Sequence, residues 1–310
     1  MSEMKYELAT ADARATDYEV VRDEQYGFRR LCPVPTIAAI EEFYDEQYYD
    51  LVQEGKRGPD IGRLMQGGEP AKKQRAWQEA TLYADVCDAL DSHAPGKRVL
   101  EIGCGTGDLL LHLASKGLEV SGVEIAKAAA DFASARNLDV QHGSFEDYAK
   151  ADGMEESLDA VLLMNVLEQT RDPIDVIRCC ERVLAPGGAL IIRSGNEFNA
   201  LQEAACESLQ KRQWWVSTPD QINYFNFESL AKLLEGEGFA VADSRSDFPM
   251  EMFLLMGDDY VDEPGVGKEC HDRRVKFEMS LPAETRRHIY RSFASAGIGR
   301  CVFLVATKRA

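Results

Sequence analysis

Between Val99 and Leu110 the chain reads VLEIGCGTGDLL. An apolar run gives way to three glycines in five residues, Gly103, Gly105 and Gly107, and then turns apolar again. A strand that meets a helix through glycines leaves backbone bare, so a ligand can approach the chain itself. Dinucleotide enzymes use the spacing G-x-G-x-x-G to seat a pyrophosphate on the helix N-terminus. Here Gly107 comes one residue early and Asp108 follows it. A carboxylate at that point repels a pyrophosphate and suits a ligand with a cationic end. The following strand, VSGVEI, carries Glu124 near its end, where a carboxylate can take both hydroxyls of a ribose. The pattern predicts a ligand with a ribose and without a pyrophosphate.

The elements that must hold these residues read as follows. From Arg98 the chain alternates strands with helices. RVLEIG, LEVSGVEI, LDVQHG, LDAVLLMN, ALIIRS, FAVADSRS and CVFLVAT are predicted strands. Leu109–Lys116, Ala126–Ala135, Pro173–Leu184 and Phe227–Glu237 are predicted helices. This order predicts an α/β fold, a Rossmann-like doubly wound and mostly parallel sheet with helices on both faces. Residues 94–246 form the predicted core, completed by a last strand in 300–310. Residues 1–93 form an N-terminal extension: a hairpin from YEVV and YGFRRL, then a helix from Ile37 to Leu51 with Tyr44 and Tyr48 on one side. A glycine-rich loop from Gly55 to Gly68 and a long amphipathic helix from Glu69 to Leu90 complete it. Residues 247–299 are a predicted helical insertion, either a lid over the sheet's ligand edge or an interface of a homodimer.

The segments VLEIGCGTG, VSGVEI, HGSFEDY, DAVLLMNVLEQTRDP and LAPGGALII, in that order, resemble the class I S-adenosylmethionine-dependent methyltransferases of small-molecule type. The resemblance runs from about Arg98 to Arg193 and more loosely to Phe239. It implies S-adenosylmethionine as the cofactor. Glu101, Gly103 and Gly105 would line its methionine part, and Glu124 would hold the ribose hydroxyls. Ser144 and Phe145 would flank the adenine, although Phe145 serves equally well as core. Asn165 and Val166 would face the amino-acid end, and Cys104, Gly107 and Ile125 complete the cofactor set.

Many relatives read LEH after the fourth strand and P-x-H before a YF segment. Here those places read Leu167-Glu168-Gln169 and Pro219-Asp220-Gln221. Glutamine orients a substrate but takes no proton at pH 7. The candidate catalytic residues are therefore Glu168, Gln169, Gln221 and Tyr224, with Glu168, Asp220 or Tyr224 as the base. An amine, a thiol or a thioether acceptor would need no such base. Trp214, Trp215 and Tyr224 lie in an aromatic run, KRQWWVSTPDQINYFNF, at the place where loops contact substrate. One tryptophan is expected to seal the cap and the other to touch substrate.

The chain holds 53 acidic and 35 basic residues, a net charge of -18. Such a field repels nucleic acid and anionic membrane. No apolar run approaches the ~20 residues a membrane span needs, and the first residues lack the apolar segment of a secretory signal. The eight cysteines form no CxxC pair, and Cys270-His271 lacks a second ligand pair, so no metal is expected. The insertion's Arg273, Arg274, Arg286, Arg287 and Arg291 are expected as intramolecular ion pairs rather than an anion site. The predicted function is cytoplasmic methyl transfer to an O, N, S or C atom of a small molecule, such as a metabolite or nucleotide-sugar. A cofactor-binding but catalytically idle subunit is the rival from another class, and an NAD-dependent oxidoreductase is a third.

Overall fold

The computed structural model describes residues 18–43, 46–47, 50–51, 62–64, 66–263 and 265–309. Tyr44, Tyr48, Tyr49 and most of the predicted glycine-rich loop lie outside the described residues.

Seven strands form the central sheet: β3 (Arg98–Ile102), β4 (Glu119–Glu124), β5 (Asp139–His142), β6 (Leu158–Met164), β7 (Leu184–Gly195), β9 (Phe239–Arg245) and β10 (Cys301–Lys308). Their order is β5-β4-β3-β6-β7-β10-β9. The first five are parallel, and β10 runs antiparallel to both β7 and β9. This is the doubly wound sheet expected from the sequence. β4 and β5 lie on one side of β3, β6 and β7 on the other. The chain reverses its winding there, and a crevice opens above the carboxyl ends of β3 and β6.

The inner strands β3, β6, β7 and β10 are largely apolar because both faces are covered. Leu100, Leu163, Ile192 and Leu304 pack on one face. Val99, Leu162, Ile191 and Val305 pack on the other. Helices α4 (Asp108–Ser115), α5 (Lys127–Ala135), α6 (Phe145–Lys150), α7 (Pro173–Val183) and α9 (Phe227–Gly236) are the crossovers. Before α9 lies α8 (Ala200–Leu209), a helix the sequence reading missed. Its signal was present: Asn199 and Gln202 make a reciprocal capping box.

β1 (Glu19–Arg22) and β2 (Arg29–Cys32) form the expected hairpin. A third strand, β8 (Asn223–Tyr224), pairs with β2, so the aromatic run after α8 joins a small sheet with the hairpin. Thr36 caps the short helix α1 (Ile37–Phe43) through a bond from the Ala39 N–H.

The long N-terminal helix is α2 (Gly68–Gln78) and α3 (Ala84–His93), joined by a π-helical turn at Glu79–Tyr83. One local and one long-range hydrogen bond hold the turn. The Thr81 hydroxyl donates to the Trp77 carbonyl at 2.6 Å, a bond that competes with the helix ladder. The Ala80 carbonyl instead accepts from Arg286 at 2.9 Å. Between β9 and β10 lie α10 (Glu251–Leu255), α11 (Val266–Met279) and α12 (Ala283–Ser295). The five arginines here form ion pairs: Arg273 with Asp258, Arg274 with Asp247 and Glu278, Arg286 and Arg287 with Asp85, and Arg291 with Asp243.

Candidate functional site

The glycine loop joins β3 to α4. Gly103, Gly105 and Gly107 sit at φ +67°, +54° and +77°, the left-handed region where other residues are strained. Two of them are also packed. A Cβ on Gly103 would lie 2.6 Å from Val166, and one on Gly107 would lie 2.3 Å from Leu138. Gly105 differs: nothing stands within 4 Å of the place its Cβ would occupy. This is the bare backbone that the sequence pattern anticipated.

Two carboxylates flank the loop. Glu124, 7% exposed, accepts from the Gly105 N–H and the Ala126 N–H, each at 2.8 Å. Glu101, 5% exposed, has one carboxylate oxygen buried without any partner. Burial first, then the charges of Glu124 and Asp108, push the Glu101 carboxyl up to about 8. Tyr83, from the π turn of the N-terminal helix, is desolvated beside Asp108 and Glu101, which raises its hydroxyl further. No local pattern places Tyr83 here, because the π turn that carries it depends on the distant Arg286.

Asp108 corrects one expectation. Its carboxylate pairs with Arg136 at 2.9 Å and accepts from the Thr106 hydroxyl at 2.8 Å. Its charge is matched within the chain, and Glu101 is left as the carboxylate with an oxygen that nothing engages. Cys104 turns its thiol into the core beside Leu110 and Leu138, where burial pushes it up to about 12. Only its backbone belongs to the loop.

Ile125 follows β4 and is 75% exposed, an apolar side chain standing beside the glycine loop's rim. Ser144 caps α6, accepting from the Asp147 N–H. Phe145 packs inward in the main core, stacked near Tyr148. After β6, Asn165 adopts φ +58° and its side-chain oxygen accepts from Arg193 at 2.6 Å. Val166 lies against Gly103, which joins this turn to the glycine loop.

The two glutamine motifs come together. The Ile222 N–H donates to the Glu168 carbonyl at 2.8 Å, and the Asn223 side chain donates to the Thr170 carbonyl at 2.7 Å. Glu168 and Gln169 thus share a corner with Asp220 and Gln221. Glu168 is buried and accepts from the Ser194 hydroxyl at 2.9 Å. Burial raises its carboxyl to about 6, with Ser194 and Arg193 opposing the rise and Asp220 adding to it. Gln169 is exposed and Gln221 half-buried.

Tyr224 stands apart from this corner. It is buried with Leu31, Phe198, Trp215 and Val216, and its hydroxyl bonds both the N–H and the carbonyl of Ser217. Trp215 is buried in the same cluster, and Trp214 is half-buried against it, the rings perpendicular at 4.9 Å. Arg193 and Ser194 were missed in the sequence. They end β7 at the carboxyl edge of the sheet, and that rule of position alone would have found them.

A sheet of this order with a glycine loop and acidic residue at its switch point defines the class I methyltransferase fold. The family model described as a methyltransferase domain matches residues 73–244, and the chain belongs to that family. A ubiquinone biosynthesis O-methyltransferase of Hahella chejuensis is 37% identical over 117 residues, 35% of this chain and 48% of that protein. One from Aromatoleum aromaticum is 28% identical over 188 residues, 56% of this chain and 78% of that protein. The chain spans about half the length of the first curated relatives it matches, 45 to 48%. Among solved structures, a SAM-dependent methyltransferase from Archaeoglobus fulgidus superposes with a TM-score of 0.52 at 19% identity, over 84% of this chain and 100% of that one. The [4+2]-cyclase SpnF gives 0.51 at 19%, over 85% and 94%. These two likenesses are of fold.

Proposed function

We propose that the protein transfers a methyl group from S-adenosylmethionine to an oxygen of a small-molecule acceptor. The observation that carries this reading is the unpartnered Glu101 oxygen beside the open face of Gly105. A buried carboxylate without a donor is costly, and a cationic ligand offsets that cost. The methionine ammonium is such a group. Gly103 and Gly105 would line the same part of the cofactor, and Glu124 would exchange its hold on loop N–H groups for the ribose hydroxyls. Ser144 and Ile125 would stand on the adenine side, and Asn165 and Val166 at the amino-acid end.

When bound, the cofactor supplies a methyl on a cationic sulfur. The chain's own residues have to orient the acceptor and take its proton. Glu168 is our candidate base. A carboxyl at about 6 is mostly ionised at pH 7 and still basic enough to take a proton as the oxygen reacts. Gln169 and Gln221, at the same corner, would orient the acceptor. We assign Tyr224 and Trp215 to packing, because the Tyr224 hydroxyl is engaged by Ser217 and Trp215 is enclosed. Trp214 remains for the substrate. The relatives' names support an oxygen acceptor. The net charge of -18 supports a small molecule over nucleic acid. Among the described residues no helix is long and apolar enough to cross a membrane. The free cysteines support a reducing compartment, the cytoplasm.

The test is calorimetric titration with S-adenosylmethionine, S-adenosylhomocysteine and NAD, on the native chain and on Glu101→Gln and Glu124→Ala. Binding of the adenosyl ligands near micromolar, weakened in both variants, supports the reading. Binding of NAD in their place ends it.

A further inference from the structure

A second set of polar side chains gathers at the same edge of the sheet, beyond β7, and the reading above uses none of it. Asn196 is fully buried directly after β7. Its side-chain amide donates to the carbonyls of Gly299 at 2.8 Å and Gly297 at 3.0 Å. Its backbone N–H donates to the Arg300 carbonyl at 2.9 Å. Gly299 packs so closely on Ser246 that any Cβ would overlap the hydroxyl, at 1.5 Å. The turn into β10 is therefore pinned on both sides. It delivers Arg300 to the level where the parallel strands end, since Cys301 pairs with Gly195 at the end of β7.

Arg300 is unlike the arginines of the insertion. Each of those is ion-paired, whereas the Arg300 guanidinium has no ion pair among the described residues. It is exposed, and desolvation opposes its charge more than any single neighbour favours it. Tyr260 and Glu251 lie within its electrostatic reach. Both carry orphaned atoms: the Tyr260 hydroxyl and one Glu251 oxygen are buried without partners, and Glu251 is only 2% exposed. Beside them, Glu197 accepts from Gln202 at 2.6 Å. A buried group left without a partner is destabilising. Two such groups beside an unpaired arginine describe a place built to receive something.

We propose that Arg300 and Tyr260 bind a carboxylate carried by the methyl acceptor. This rests on the methyl-transfer reading. A guanidinium and a carboxylate match in a two-pronged bond. The ligand is a monoanion rather than a phosphate. Glu168 and Glu197 lie close enough on this side of the sheet for their charges to act on one another. A second negative charge there meets repulsion that one arginine cannot offset. The position is next to the corner that holds Glu168, so an acceptor anchored at Arg300 would present its other end to the base.

The experiment is calorimetry on the full chain with and without S-adenosylhomocysteine, using benzoate, its neutral isostere benzamide, and phenyl phosphate. Benzoate should bind at least about tenfold better than benzamide. Arg300→Met should remove that preference and Tyr260→Phe reduce it, with S-adenosylhomocysteine affinity and melting temperature unchanged in both. Benzoate that fails to bind at millimolar concentration, binds no better than benzamide, or ignores Arg300→Met overturns the proposal. Tighter binding of phenyl phosphate overturns the choice of a monoanion. Loss of S-adenosylhomocysteine binding in the native chain, with the benzoate preference intact, would instead sink the methyl-transfer reading and leave an anion site standing.

Discussion

The Ser194 hydroxyl donates to the Glu168 carboxylate at 2.9 Å, joining the end of β7 to the turn that follows β6. Both groups are buried, so the bond favours the charged carboxylate where water cannot. It is one of the influences that hold Glu168 near 6 against the upward pull of burial.

Activity through Glu168 should therefore rise with pH across about 6, as the carboxyl loses its proton. Ser194→Ala removes a bond to the charged form, so the carboxyl rises and the acidic limb of kcat/KM moves to higher pH. Glu168→Gln should lower kcat by about 10²–10⁴-fold while S-adenosylhomocysteine binds as before. A pH profile that the Ser194 variant leaves in place would remove Glu168 from the reaction.

Glu101 predicts a proton release. With its carboxyl at about 8, it is mostly protonated at pH 7 in the free protein. A bound cation favours the ionised form, so cofactor binding at pH 7 should expel close to one proton. Calorimetry in buffers of different ionisation enthalpy measures it, and Glu101→Gln should abolish it.

The same carboxyl links ligand-free stability to pH. Its folded pKa lies above the ordinary value, so its favourable contribution is complete below about 4.5 and is lost as pH rises through about 8. Glu101→Gln should leave the free protein about 1–3 kcal/mol more stable at pH 9. Urea denaturation at pH 5 and pH 9 reads the difference.

The glycines of the loop should separate folding from binding. Gly107→Ala adds left-handed strain and a clash with Leu138, and should lower stability by about 1–3 kcal/mol. Gly105→Ala meets open space, so its folding cost is strain alone, about 1 kcal/mol. Its methyl enters the face a cofactor would use, so affinity should fall by more than stability does. Thermal melts and calorimetry on the two variants give the comparison.

Arg274 ties the insertion to the rest of the molecule. It bonds Asp247 at 3.0 Å and Glu278 at 3.2 Å, and Glu278 also accepts from Trp77 and Tyr290, each at 2.6 Å. Arg274→Met leaves the buried Glu278 without its cation and Asp247 with Arg193 alone, and should cost about 3–5 kcal/mol. Trp77→Phe removes one donor and should cost about 1–3 kcal/mol. Chemical denaturation would register both.

What the sequence made legible follows from physical range. The strands and their glycine loop were readable because periodicity, turn residues and an acidic strand end are local signals. Glu124 could be marked for the same reason, and Glu101 through the family resemblance. The partner of Asp108 was not readable: Arg136 lies far along the chain, and the pair exists only because α5 packs beside the loop. Nor was the strand at Asn223–Tyr224, whose two residues carry no pattern and are ordered by β2. The side chains of Cys104 and Phe145 turned inward for want of any local rule to say which face they would take. Arg300 precedes an apolar strand like any surface arginine, and only the pinned turn and the arginines' pairing set it apart.

The small sheet of β1, β2 and β8 also imposes an order in time. The hairpin is complete at Cys32, but the strand that covers its edge begins at Asn223. At about 5–20 residues per second of synthesis, that edge waits roughly 10–40 s for its partner. An uncovered edge invites pairing with other chains, and arginines along it discourage that. Arg29 and Arg30 occupy the two positions that β8 later pairs. They guard the nascent chain during the interval in which the finished protein's contacts do not yet exist.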